Sequence, residues 1–159
     1  FNLKVLSSYE NSDEKINDIC VKHSKLKSFY INQNQIPMLI DEIPILSIIA
    51  SQAYGKTVIR NAGELRFKEC DRISAIVFNL KNMGANIEEF DDGFTIIGPT
   101  KLTGCKIKTF NDHRIAMAFM IAGLISEGET NLDNTACINI SFPGFFKTMK
   151  SIVKWENLV

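Results

Sequence analysis

Apolar residues recur at helical spacing in three stretches of the chain. Ile43, Ile45, Leu46, Ile48, Ile49, Ala50 and Ala53 surround much of one turn pattern, which predicts a helix buried on more than one side and stopped at Gly55. Ile73, Ile76, Val77, Leu80 and Met83 form a single stripe, with Gly84 as the stop. Ile115 to Ile125 is apolar throughout and is closed by Gly128. A last helix is expected over residues 143–153. Strand-like alternation marks residues 2–7, Thr57 to Arg60, Asn86 to Phe90 and Phe94 to Ile97, with Asp91-Asp92-Gly93 as a hairpin turn between the last two. Shorter extended pieces are expected at Ile19 to Val21, Ser28 to Ile31, Cys105 to Thr109 and Thr130 to Leu132. Ser8 to Lys15 and Asn32 to Gln35 are polar and read as loops, and Pro37 excludes a helix at its position. Asp41 is the expected N-cap of the first buried helix, with Pro44 in its first turn.

The pattern repeats. Gly55-Lys-Thr-Val-Ile-Arg-Asn matches Gly128-Glu-Thr-Asn-Leu-Asp-Asn, 73 residues on; Lys25-Leu26 matches Lys101-Leu102 at 76, and Asp41 matches Asp112 at 71. At the spacing of 73 the helix after Arg72 overlays the helix after Phe145. The implied unit is helix, strand, helix, then two or three strands. Buried helices against mixed strands predict an α/β fold with helices inside, as one domain over residues 1–159. The first residue, Phe1, already sits in a strand-like run, so the chain reads as part of a longer protein.

Composition narrows the function. Lys plus Arg and Asp plus Glu both number 18, and a formal net charge of zero argues against a general nucleic-acid surface. No signal peptide is visible, and Ile115 to Ile125 is too short to span a bilayer. Cys20, Cys70, Cys105 and Cys137 are widely spaced and expected to be reduced thiols of a cytoplasmic protein. With only two His and no Cys/His cluster, no metal site is expected. No glycine-rich phosphate loop or dinucleotide fingerprint occurs, so no nucleotide cofactor is indicated.

The densest charge lies in Leu65-Arg66-Phe67-Lys68-Glu69-Cys70-Asp71-Arg72, where a loop enters a helix with Asp71 or Cys70 near the cap. Alone, this reads as a solvated cluster capping a helix. The repeat, however, brings equivalent helix starts together: Asp41 at one, Lys68, Glu69 and Arg72 at a second, His113 and Arg114 at a third. A helix N-terminus is partially positive, so cations just inside two of them are unfavourable unless an anion joins them. Together these residues suggest an anionic, phosphate-bearing ligand with carboxylates free for proton transfer.

Four ordered motifs carry a resemblance. Asp41-Glu42-Ile43-Pro44, Lys68-Glu69-Cys70-Asp71-Arg72, Asn111-Asp112-His113-Arg114-Ile115-Ala116-Met117 and Ser141-Phe142-Pro143-Gly144-Phe145 resemble the C-terminal motifs of the 5-enolpyruvylshikimate-3-phosphate synthase family, from about Asp18 to Ile152. The resemblance implies an inside-out α/β barrel domain of repeated βαβαββ units with buried parallel helices. It also implies that residues 1–159 form most of the C-terminal domain of a two-domain cytoplasmic enzyme. The implied reaction moves the enolpyruvyl group of phosphoenolpyruvate to the 5-hydroxyl of shikimate-3-phosphate and releases phosphate. The implied roles are Asp41 as base on that hydroxyl, Lys68 on shikimate-3-phosphate, and Glu69 as the proton handler at the methylene carbon. Arg72 and Arg114 would hold phosphoenolpyruvate, with His113 in support.

Three positions depart from the family pattern. Cys70 replaces a usual Ser or Thr, and Ile140 stands where many members carry a Lys that contacts phosphoenolpyruvate. Glu64 stands where some members use a polar substrate contact. The sister transferase acting on UDP-N-acetylglucosamine shares the fold, but the Lys-Glu-x-Asp-Arg motif argues against it. Ile140 leaves open a degenerate, non-catalytic domain.

Overall fold

The computed structural model describes residues 2–11 and 14–153. Among the described residues, seven strands and six helices run in the order β1 (Asn2–Asn11), β2 (Glu14–Lys22), α1 (Ile36–Leu39), α2 (Ile43–Ser51), β3 (Gly55–Ile59), α3 (Arg72–Asn82), β4 (Asn86–Phe90), β5 (Gly93–Gly98), β6 (Lys106–Ile107), α4 (His113–Ile125), β7 (Asn131–Leu132), α5 (Ala136–Ser141) and α6 (Phe145–Ile152). They form an antiparallel hairpin β1-β2, an antiparallel sheet β3-β5-β4, and a short parallel pair β6-β7.

The main core lies where α2, α3 and α4 meet the three-stranded sheet, and it includes Ile43, Ile48, Ile59, Ile73, Ile76, Leu80, Phe94, Ile96, Ile115 and Phe119. A second cluster joins Ala116 and Met120 of α4 to Cys137, Ile138, Phe145 and Met149. Helix α4 is thus covered on two sides, which is why its sequence is apolar all round. Asn79, fully buried in α3, accepts from Lys108 N at 3.0 Å and donates to Lys108 O at 2.8 Å. That pair of bonds fixes the segment leading to α4 against α3.

The repeat is visible as matched hydrogen bonds. Tyr54 N donates to Leu26 O at 2.9 Å, and Glu127 N donates to Leu102 O at 2.9 Å. Ser28 N donates to Tyr54 O, and Gly104 N to Glu127 O. The parallel bridges Lys27–Tyr54 and Tyr30–Val58 likewise correspond to the bridge Thr103–Glu127 and the pair Lys106–Asn131. Both copies therefore place their strands alike around α2 and α4.

Several expectations are corrected. The described residues between Ser8 and Lys15 are not a loop: β1 runs to Asn11 and β2 starts at Glu14, pairing Tyr9 with Ile16 and Glu10 with Lys15. Both faces of that hairpin are largely exposed, so no burial imposes the alternation that marks a strand in sequence. Ser28 to Ile31 makes isolated bridges only. Pro37 does not exclude a helix; it sits in the first turn of α1, where its missing N–H costs nothing. Helix α5 was not expected, and it fills the stretch before Pro143. Asp41 does not cap α2. It lies in a 3-10 turn, Ile40–Glu42, that runs straight into the helix, and Glu42 holds the cap position in a helical conformation (φ −93°, ψ −8°) without a side-chain bond.

Two glycines test this packing. A Cβ on Gly98 would lie 2.6, 2.7 and 2.9 Å from the carbonyl oxygens of Ala53, Ser51 and Ala50. Gly84 (φ +87°) has nothing within 4 Å of its Cβ position. Gly84→Ala is expected to cost about 1–2 kcal/mol from left-handed backbone alone. Gly98→Ala must move α2 off β5 and is expected to cost about 1–3 kcal/mol from overpacking. It should also loosen amide protection in β3, whereas Gly84→Ala should not. Urea unfolding and hydrogen exchange check the pair.

Candidate active site at three helix starts

Helix α3 begins at Arg72 because Asp71 is extended (φ −68°, ψ 90°) and accepts from Ser74 N at 3.0 Å. Helix α4 begins at His113 because Asp112 (φ −96°, ψ 119°) accepts from Arg114 N at 2.8 Å and Ile115 N at 3.2 Å. Phe110 and Asn111, both left-handed (φ 53° and 59°), reverse the chain immediately before it. The 3-10 turn carrying Asp41 faces both starts.

The centre of the site is Arg72, only 1% exposed. Its Nε donates to Asp112 Oδ2 at 2.7 Å, one terminal nitrogen to Asp41 Oδ1 at 2.9 Å, and the other to Glu69 Oε2 at 2.6 Å. Asp112 is fully buried, whereas Asp41 and Glu69 are each about half exposed. Arg114 donates to the Asp41 carbonyl at 2.9 Å and to Glu42 Oε1 at 3.1 Å, and it lies 3.6 Å from Asp41 Oδ2. His113 Nδ1 is 3.8 Å from Glu69 Oε1. Lys68 Nζ meets Glu64 Oε1 at 2.6 Å.

All six residues singled out from the sequence, Asp41, Lys68, Glu69, Arg72, His113 and Arg114, thus gather at one place. The helix-dipole argument for a ligand is answered at Arg72 by the chain's own carboxylates, Asp112 above all. In the sequence Asp112 stands only as the repeat counterpart of Asp41; its position directly before His113 and Arg114 is the available signal for more. Ile140 lies in α5 and is 85% exposed.

Burial alone would raise the Asp41 pKa; the Arg72 hydrogen bond and the charges of Arg114, Arg72 and Lys68 outweigh it and hold the carboxyl below its usual range. The Cys70 thiol is pushed up to about 12 by burial first, then by the charge and hydrogen bond of Asp112, 3.7 Å away. Cys70 is therefore a neutral thiol under the site. Among the described residues no cluster of His, Cys, Asp or Glu is arranged to hold a metal ion. A cleft of about 180 Å3 opens beside Asp41, Glu42 and Arg114 and is floored by Pro44, Ala118 and Phe145. The larger groove, about 550 Å3, runs along Ile45, Ile49, Ile121 and Ile125 and contains none of the charged cluster.

The family model for EPSP synthase (3-phosphoshikimate 1-carboxyvinyltransferase) matches residues 7–149. The chain belongs to the EPSP synthase family. A relative from Alkaliphilus oremlandii, named 3-phosphoshikimate 1-carboxyvinyltransferase, is 49% identical over 152 residues, covering 96% of this chain and 36% of the relative. One of the same name from Petrotoga mobilis is 48% identical, covering 95% of this chain and 35% of its own length. A solved EPSP synthase from Acinetobacter baumannii superposes with a TM-score of 0.89 at 37% identity, over 94% of this chain and 36% of that one. The fold is therefore that of the enolpyruvyl transferases, and the chain spans about a third of the length of these relatives. The match does not favour the UDP-N-acetylglucosamine reading. No helix among the described residues is long and apolar enough to cross a membrane.

The carboxylates around Arg72 generate two expectations for this EPSP synthase family chain. Asp112→Asn keeps a good capping side chain but leaves a buried guanidinium with one fewer charge partner. A loss of about 3 kcal/mol is expected, at the low end for a broken buried pair because Asp41 and Glu69 remain. Urea unfolding beside Asp71→Asn, whose carboxylate is more exposed, checks it. The second concerns pH. The folded pKa of Asp41 lies below its ordinary 3.8, so its stabilising contribution is complete above that value and is lost as pH falls through the folded pKa. Asp41→Asn should therefore shrink the difference in urea midpoint between pH 6 and pH 3.

Proposed function

We propose that this chain supplies one wall of the active site of a 3-phosphoshikimate 1-carboxyvinyltransferase. The longer enzyme transfers the enolpyruvyl group of phosphoenolpyruvate to the 5-hydroxyl of shikimate-3-phosphate and releases phosphate. The observation that carries this reading is the convergence of two half-exposed carboxylates, Asp41 and Glu69, on one buried arginine beside a second, more accessible arginine, Arg114.

In this reading each residue has a part. The tetrahedral centre formed during transfer is multiply anionic and needs fixed cations; Arg114, Lys68 and Arg72 provide them. Carboxylates outnumber these cations, because Asp41, Glu42, Glu64, Glu69 and Asp112 surround Lys68, Arg72 and Arg114. Phosphoenolpyruvate therefore competes with Asp41 for Arg114. Drawing Arg114 away removes one influence that depresses the Asp41 pKa, so the carboxylate becomes a better base as the substrate is bound. Asp41 then takes the proton of the 5-hydroxyl. Glu69, held by Arg72 and 3.8 Å from His113, handles the proton at the methylene carbon. No cofactor or metal enters this scheme.

The other wall is a second domain of the same cytoplasmic enzyme, with residues 1–159 forming most of the C-terminal domain. Closure of that domain excludes water, which strengthens these charge interactions several-fold. The chain alone is expected to bind phosphorylated ligands weakly and to form no product. Ile140, exposed on α5 and without charge, adds nothing to the anion site.

Two measurements on the longer enzyme test the reading. Asp41→Asn should lower turnover by about 100-fold or more while substrate binding is largely kept. Near-normal turnover with unchanged thermal stability would remove Asp41 from the mechanism. Arg114→Lys should weaken phosphoenolpyruvate binding in the presence of shikimate-3-phosphate, since the planar fork is lost. Unchanged affinity would show that the anion lies elsewhere.

A further inference from the structure

We propose that Arg66 is a positioning residue that pins the arch carrying Lys68 and Glu69 and so keeps Glu69 against Arg72. Its catalytic consequence rests on the function proposed above; the positioning itself does not.

Arg66 lies in a 3-10 turn, Gly63–Phe67, just ahead of Lys68. A guanidinium has five N–H donors. Here Nε donates to Asp91 O at 2.7 Å. One terminal nitrogen donates to Asp71 Oδ2 at 2.7 Å and Ser74 Oγ at 3.1 Å. The other donates to Glu89 Oε1 at 3.0 Å and Phe90 O at 2.8 Å. Five such bonds engage the full donor capacity, which excludes Arg66 as a ligand contact despite its charge and its place in the motif.

The partners explain its use. Asp91, Phe90 and Glu89 belong to the β4–β5 hairpin, while Asp71 and Ser74 form the cap of α3. Between Arg66 and Asp71 the chain makes an arch of four residues, Phe67, Lys68, Glu69 and Cys70. One guanidinium therefore ties both feet of that arch together and ties them to the sheet. Phe67, on the outside of the arch, is 87% exposed, so packing of that side chain does not hold the arch in place. Glu69 reaches the buried Arg72 from this arch, and Lys68 reaches Glu64 from it.

Arg66→Lys keeps the positive charge but offers a single ammonium, which cannot span the hairpin and the cap at once. The cap survives in the variant, because Asp71 Oδ1 still accepts from Ser74 N. The chain should stay folded while the arch loosens. Nitrogen-15 NMR of the arginine side chains in the 159-residue chain reads this directly. Arg72 Nε–H points at buried Asp112, which is independent of the arch, whereas a terminal N–H points at Glu69. In Arg66→Lys the terminal N–H protons of Arg72 should exchange with water about tenfold faster or more, the loss of one charge-assisted bond. The Nε–H shift should stay. Glu69→Gln sets the ceiling for the effect, and Glu89→Gln, which weakens only the tie to the sheet, should fall between.

Unchanged exchange of the Arg72 terminal protons in both Arg66→Lys and Glu89→Gln would overturn the proposal. So would equal acceleration at Nε–H, which would mark Arg66 as a general staple of the fold. In the longer enzyme, Arg66→Lys should lower kcat more than it raises KM for phosphoenolpyruvate. Accelerated exchange with unchanged kcat would uphold the positioning and instead overturn the role given to Glu69.

Discussion

A guanidinium that is 1% exposed cannot be left to water, and Arg72 takes its partners from three separate parts of the chain: the turn before α2, the arch before α3, and the cap of α4. Removing one partner from such a buried pair costs roughly 3–5 kcal/mol, far more than any exposed ion pair. The three segments are therefore held together by a charge that none of them can abandon. A buried ion pair need not be better than a well-packed apolar cluster in net stability. Its effect here is directional. It brings two carboxylates to the surface at fixed angles and keeps a third, Asp112, underneath.

The scaffold follows from burial. Helix α4 is apolar on every side because α2 covers one flank and α5 and α6 cover another. With its start fixed by Asp112 and by two left-handed residues, His113 and Arg114 have no freedom to drift from Asp41 and Glu69. The same logic holds at α3, where Asp71 caps the helix and Arg66 holds Asp71.

What the sequence made legible was what burial or capping enforces locally. The stripes of α3 and α4, the β4–β5 hairpin and the Asp71 cap all follow from period, turn chemistry and cap preference. The outer hairpin is not legible in the sequence because Tyr9, Ile16 and their polar neighbours are not sorted between a wet and a dry face. The gathering of the six candidate residues is legible from the repeat, which sets Asp41, the Lys68–Arg72 stretch and His113–Arg114 at equivalent helix starts. The partner of Arg72 was not found, since which of several nearby carboxylates is buried depends on contacts between residues 40 positions apart. Arg66 looked like one charge among five; only the position of the β4–β5 turn shows it to be saturated.

The matched hydrogen bonds of the two repeats carry one more consequence. From Leu26 to Asp41 the first copy takes 15 residues, and from Leu102 to Asp112 the second takes 10. The longer segment holds α1 and the 3-10 turn Ile40–Glu42, and it leaves the acid one residue short of the cap position of its helix. Asp112 remains a cap, sealed in the interior, while Asp41 is released from that duty and stands at the cleft. A repeated aspartate thus has a sealed copy and an accessible copy, both gripping the same arginine. The longer lead-in to α2 is what separates the two positions.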